Sequence, residues 1–342
     1  MLGFRSLGRL VIRRDRRAAV KRWGAAVVAL AVSVCGLVPA YGGGRADGVA
    51  EVTGFGSNPG NLRMFRYVPP GVGPGRPLVV ALHGCTQSAA AFDDEPGWIE
   101  LARRLQFVLV LPQQQSANNF SFCFNWFQTA DSTRGAGEPL SIKQMVDRAR
   151  TDAGSDPAKV FVTGLSAGGA MAAIMAATYP DVFAGAAVVA GLPYRCATTL
   201  VQAYGCQNPG TDLSPRQWGD KVRAASQHRG PWPTLSVWHG TADTTVAYRN
   251  LTELAEQWTD VHGADQTADG VGTVNGYPHH TYRDQSGRAV VETWSITDMR
   301  HGQPIDPGAG PDNCGQPAPY ILDVDVCAAG HIATFWGLSS EH

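Results

Sequence analysis

Gly164-Leu165-Ser166-Ala167-Gly168 sets a hydroxyl among small residues, after the apolar run Val160–Thr163 and before the Ala-rich stretch Ala167–Thr178. A serine at a sharp strand-to-helix turn sits in strained backbone geometry, its hydroxyl exposed above a helix N-terminus. The free N–H groups and dipole of that terminus favour negative charge, which attack on a carbonyl generates. The chemistry implied is nucleophilic acyl transfer, with Ser166 as the nucleophile. A purely structural turn could carry the same five residues, so the assignment depends on partners elsewhere in the chain.

Such a nucleophile is usually followed in the chain first by an acid and then by a histidine. Asp243 lies just past the apolar run Leu235–Trp238, in Trp238-His239-Gly240-Thr241-Ala242-Asp243. A loop at the carboxyl end of a parallel strand reaches the same rim as the turn holding Ser166. There a carboxylate would orient the base and stabilise the imidazolium. Asp260, Asp265 and Asp269 fall in a helix end or a polar loop and are weaker candidates. His301 follows the run Val290–Ile296 by a short loop and is the best-placed base; His331 is the rival, and His279 and His280 stand before a strand as surface residues. The oxyanion needs two donors. The backbone N–H of Ala167 supplies one, and the Cys85 N–H, in the loop His83-Gly84-Cys85-Thr86-Gln87, supplies the other. Gln87 is a helper there, and His83 reads as structural.

These residues need a scaffold. Leu78–Leu82, Phe107–Leu111, Val160–Thr163, Ala186–Ala190 and Leu235–Trp238 are apolar runs of the kind buried on both faces of a sheet. Leu62–Val68 alternates like an outer strand, and Arg283–Asp284 pairs with Val290–Ile296 as a hairpin around Ser286-Gly287. Gly97–Leu105, Ile142–Ala153, Ala167–Thr178 and Tyr248–His262 read as helices. Strand and helix in alternation predict an α/β class: a mainly parallel sheet with helices on both faces. With a nucleophile turn at its centre, that is the α/β-hydrolase fold.

The N-terminus reads differently. Arg13, Arg14, Arg16, Arg17, Lys21 and Arg22 precede an uncharged apolar run, Gly24–Val38, and then Val38-Pro39-Ala40. A basic region, a short apolar core and a small-residue cleavage site make a secretory signal, the run being shorter than the roughly 20 residues of a spanning helix. The expected organisation is a signal peptide over 1–40, a flexible lead-in over 41–48 and one catalytic domain over 49–338. Residues 1–40 carry a net +7 of the total −1, leaving −8 on the rest. An acidic secreted chain is a poor partner for nucleic acid or, once the signal is cleaved, for a membrane. Six cysteines remain beyond the leader, which fits disulfides in an oxidising compartment. Cys196 with Cys206 and Cys314 with Cys327 close short loops, leaving Cys85 with Cys123, although the count alone permits other pairings. No metal-ligand spacing is present, so no metal is expected.

Taken together, HGCTQ (His83–Gln87), CFNWF (Cys123–Phe127), GLSAGGAM (Gly164–Met171), WHGTAD (Trp238–Asp243) and HIATFWGL (His331–Leu338) resemble the extracellular poly(3-hydroxybutyrate) depolymerase family, which also holds feruloyl and acetylxylan esterases. The resemblance covers residues 49–338. It implies an α/β-hydrolase that acts on ester bonds outside the cell without cofactor; the expected protein is a secreted serine esterase of short-chain polyhydroxyalkanoate or its oligomers, and the expected state is a monomer. By position it carries Ser166, Asp243 and His301 onto the triad and Cys85 into the oxyanion loop, with Gln87, Trp126 and Phe127 as substrate-binding residues. The sequence departs from the family at Arg300, where a small residue is usual, and at Phe122 and Phe124, which flank Cys123. The alternative substrates are feruloyl or acetyl groups on plant cell-wall polysaccharide. A reading of another class is a non-catalytic secreted binding protein on a hydrolase scaffold.

Overall fold

Leu78, Val80 and Leu82 face one apolar layer while Val79 and Ala81 face another, because side chains alternate across a strand. Burial on both faces is why this segment is apolar throughout. The computed structural model describes residues 48–338. The expected leader at 1–40, and all of the lead-in at 41–48 except Gly48, lie outside the described residues.

The strands are β1 (Ala50–Val52), β2 (Arg63–Tyr67), β3 (Leu78–Leu82), β4 (Val108–Gln113), β5 (Val160–Leu165), β6 (Gly185–Val189), β7 (Thr234–Gly240), β8 (Gly270–Val274), β9 (Tyr277–Arg283), β10 (Ala289–Ile296), β11 (Gln303–Ile305) and β12 (Ile321–Asp323). The first ten form one sheet in the order β1-β2-β4-β3-β5-β6-β7-β10-β9-β8, and β11 pairs with β12 separately. The six neighbours from β4 to β10 are parallel. Antiparallel pairs extend both edges. This is the α/β-hydrolase class expected from the alternation of strand and helix.

The helices are α1 (Ala89–Phe92), α2 (Trp98–Leu105), α3 (Gly137–Ala153), α4 (Ala167–Thr178), α5 (Leu200–Gln207), α6 (Pro215–Arg223), α7 (Arg249–His262) and α8 (Ala328–Phe335). Apolar residues of α3, α4, α6 and α7 share one layer with the sheet, and those of α1, α2 and α8 share the other. Every residue of α4 is buried; its Ala and Gly side chains let the helix lie close under β5. A Cβ at Gly164 would run into the Gly168 backbone, and one at Gly168 into the carbonyls of Leu82 and His83. The two glycines of the turn are therefore fixed by contact.

Four expectations need correction. Helix α3 begins at Gly137, five residues before Ile142, because Pro139 sits in its first turn, where no intrahelical N–H is required. Strand β4 runs to Gln113 through Pro112. Pro112 pairs only with β2, since the register with β3 ends at Val110, so its missing N–H breaks no ladder. His279 and His280 lie inside β9, half-buried, not ahead of a strand. The hairpin around Ser286-Gly287 is present, but β9 begins at Tyr277 and is extended outward by β8.

Candidate active site

Ser166 stands between β5 and α4 with φ 58° and ψ −118°, a combination that costs a non-glycine residue free energy and persists only where the surroundings impose it. Here they do. The Ser166 N–H donates to Val189 O at 2.9 Å, and the Ser166 carbonyl accepts from Ala170 N at 2.9 Å. Ala167 opens α4, so its N–H has no intrahelical acceptor.

Asp243 follows β7 and His301 follows β10, two strands that lie side by side in the sheet. The His301 Nδ1–H donates to Asp243 Oδ2 at 2.7 Å. That bond fixes the tautomer and leaves Nε2 as the proton acceptor. Asp243 Oδ1 accepts from the backbone N–H groups of Thr245 (2.8 Å) and Val246 (2.9 Å). His239 Nε2 lies 3.3 Å from Oδ2 and 2.9 Å from Val246 O. Burial alone would raise the carboxyl, but the hydrogen bonds from His239 and His301 and the Val246 N–H hold it well below the usual carboxylate range.

Ser166 and His301 line one cavity of about 130 Å³, together with Gly84, Cys85, Thr86 and Gln87. Along that loop, Gly84 N–H donates to Gln87 Oε1 at 2.8 Å and Thr86 N–H to Ser121 O at 2.7 Å. The Cys85 N–H between them is the one in the run without a protein acceptor among the described residues. Cys85 is bonded to Cys123, Cys196 to Cys206, and Cys314 to Cys327, the pairing that loop lengths favoured. The first bridge ties the loop to the segment that holds Thr86. A donor fixed in this way needs no reorganisation when an oxyanion forms.

Residues 62–274 match the family described as Esterase PHB depolymerase. Poly(3-hydroxyalkanoate) depolymerase C of Paucimonas lemoignei is 53% identical over 291 residues, spanning 85% of this chain and 70% of its own length. The chain belongs to the Esterase PHB depolymerase family. An acetylxylan esterase of Coprinopsis cinerea is 37% identical, spanning 75% of this chain and 69% of its own length. A solved acetyl xylan esterase from Aspergillus awamori superposes with a TM-score of 0.72 at 26% identity, covering 85% of this chain and 99% of its own. This PHB depolymerase-family chain is a carboxylic ester hydrolase, and the reading as a non-catalytic scaffold is set aside. The family match includes Ser166 and Asp243 and ends before His301.

The other candidates of the esterase divide. The Gln87 side chain lines the cavity, but its oxygen is held by Gly84 N–H and its Nε2 donates to Pro319 O at 3.3 Å, so it braces the loop that holds Cys85. Trp126 is buried in the layer shared with α3 and α4 and meets Phe127 edge-on, with ring centres 5.5 Å apart; neither ring lines the cavity. His331 lies on α8 against Trp294, with ring centres 4.7 Å apart, away from the cavity. Sequence reasoning missed Thr86, Gln207, Thr245 and Tyr320, all of which line it. Among the described residues no group of three or more His, Cys, Asp or Glu is placed to hold a metal ion.

His83 opens the loop that holds Cys85 yet is fully buried. Its Nδ1–H donates to Gly84 O at 2.7 Å and its Nε2 accepts from Gln114 N–H at 3.1 Å. Desolvation outweighs the Gly84 bond and pushes the ring down to about 4, against about 6.5 in an unfolded chain. Below pH ~6.5 the unfolded chain binds a proton that folded His83 refuses, so stability complete above that pH is lost as pH falls towards 4. At pH 4 the loss from this one ring is about 3 kcal/mol. Urea unfolding at pH 7, 5 and 4 should show this slope, and His83→Gln should flatten it. Equal slopes would assign the acid sensitivity to other groups.

Proposed function

We propose that the chain is a secreted esterase that cleaves short-chain polyhydroxyalkanoates, such as poly(3-hydroxybutyrate) or its oligomers, by two-step acyl transfer. The carrying observation is Ser166, held strained at the rim of a cavity that it shares with an imidazole locked to Asp243. His301 takes the proton from Ser166 as the hydroxyl attacks the ester carbonyl. The N–H groups of Cys85 and Ala167 receive the oxyanion, His301 protonates the leaving alkoxide, and water then releases the acid by the same steps in reverse.

Two features support a neutral aliphatic substrate. The cavity of about 130 Å³ is far smaller than the roughly 300 Å³ at the low end of sites for drug-sized ligands, which suits a short acyl unit. Residues 105–130, 196–211 and 313–322 contain no Asp, Glu, Lys, Arg or His. These stretches carry Gln207 and Tyr320 into the cavity wall, and Ser121 onto Thr86. They also expose Phe120, Leu200, Val201 and Tyr204. The loop leading to His301 is the charged side, with Asp298 and Arg300 exposed.

Support for the polyester comes also from the depolymerase that shares 53% of its aligned residues. The acetylxylan reading draws on the acetyl xylan esterase fold match. Purified enzyme should release 3-hydroxybutyrate from amorphous poly(3-hydroxybutyrate) faster than acetate from acetylated xylan or ferulate from methyl ferulate. The reverse order overturns the polyester assignment. Secretion is supported by the basic and apolar leader and by three disulfides, which persist in oxidising compartments. No described helix is long and apolar enough to cross a membrane.

A further inference from the structure

Ala318-Pro319-Tyr320-Ile321 forms a four-residue turn closed by the Ile321 N–H on the Ala318 carbonyl at 2.9 Å. Proline at the second position suits such a turn, and a positive φ at the third normally selects glycine. Tyr320 occupies that third position with φ 67°. A bulky aromatic at a left-handed position runs against local steric preference, and such outliers gather where a side chain is needed in one place.

The surroundings fix where that place is. The Tyr320 carbonyl accepts from Gln303 N–H at 2.8 Å, and the preceding Pro319 carbonyl accepts from Gln87. The Cys314–Cys327 bridge closes the loop that bears the turn. Backbone bonds thus hold the turn from both sides, while Tyr320 is 46% exposed. It lines the cavity of Ser166 and stands edge-on to the His301 imidazole, with ring centres 6.1 Å apart and planes at 74°.

We infer that Tyr320 is a specificity-determining residue that contacts the alcohol portion of the ester. The proposal rests on the triad assigned above. The base that deprotonates Ser166 returns its proton to the leaving oxygen, so a wall beside that imidazole faces the group being expelled. In a polyester that group is the next repeat of the chain: a neutral, aliphatic segment suited to the face or edge of an aromatic ring. Tyr320 would accordingly favour an ester with an extended alcohol side over one whose alcohol is a single methyl.

The test compares esters with one acyl group and different leaving groups: p-nitrophenyl butyrate against methyl butyrate, and the linear trimer of 3-hydroxybutyrate against methyl 3-hydroxybutyrate. Tyr320→Gly suits the turn, so its fold is not at risk, and its thermal midpoint should rise. In this variant the ratio of kcat/KM for the larger ester to that for the methyl ester should fall by about tenfold, mostly through KM, the size of effect expected when an apolar contact is lost. Tyr320→Phe keeps the ring and should keep the ratio. Equal losses on large and small esters would show a merely structural role and overturn the inference, as would an unchanged ratio. A wild-type enzyme that cleaves the butyrate pair but neither hydroxybutyrate ester overturns the polyester reading instead, and the butyrate ratio still judges Tyr320.

Discussion

Replacing Ser166 by Ala should lower kcat for p-nitrophenyl butyrate by about 10⁴- to 10⁶-fold, the range seen when an acyl-transfer nucleophile is removed. The thermal midpoint should stay near wild type, because Ala keeps the backbone bonds to Val189 and Ala170 and the same strained φ. Ser166→Gly separates chemistry from strain. Glycine tolerates φ 58° without the steric penalty, so this variant should be equally inactive yet more stable, by about 1 kcal/mol. Turnover in either variant above roughly 1% of wild type would remove Ser166 from the role of nucleophile.

Asp243→Asn should cost about 10⁴-fold in kcat, the loss that follows when the base is forced into the wrong tautomer. The structure explains why the amide would be oriented to do this. Oδ1 accepts two backbone N–H groups, from Thr245 and Val246, so the amide oxygen must occupy that position. The NH₂ group then takes the place of Oδ2 and faces His301 Nδ1. Nδ1 can accept that bond only without its proton, which moves to Nε2, where an acceptor for the serine proton is needed. His239, beside the same oxygen, would likewise meet a donor where it now meets an acceptor. Stopped-flow hydrolysis of p-nitrophenyl butyrate measures the loss, and circular dichroism checks the fold. A loss under about tenfold would mean that Asp243 does not set the tautomer.

The sheet and the residues at its strand ends were legible in the sequence because both obey strong local rules. A strand buried on both faces is apolar along most of its length: β3 and β6 are so throughout, and β7 is broken only by buried Ser236 and His239 and by Thr234 at its start. Ser166 is marked by small residues whose absent side chains are required by the contacts of Gly164 and Gly168. Asp243 and His301 are marked by standing just beyond strands. Helix α6 carries a signal readable in the sequence: Ser214 and Gln217 form a capping box around Pro215. Helix α5 and strand β8 expose much of their surface, so neither shows the apolar periodicity by which elements are found. Thr86, Thr245 and Tyr320 come from three separate loops and Gln207 from the end of α5, and they meet only in the folded chain, which no spacing rule captures. The family resemblance makes Trp126 and Phe127 substrate-binding residues, but an aromatic pair serves a core equally well, and Trp126 is packed in one.

The segment that leaves the sheet after β10 carries His301, runs through β11, is stapled by Cys314–Cys327, and brings Tyr320 back to the rim. Ser166, Asp243, Cys85 and Ala167, the residues proposed as nucleophile, acid and oxyanion donors, all lie upstream of it, at or just beyond the ends of sheet strands. If Tyr320 selects the leaving group as proposed, changes between the two stapled cysteines would alter which alcohols are released and leave Ser166, Asp243, His301 and Cys85 untouched.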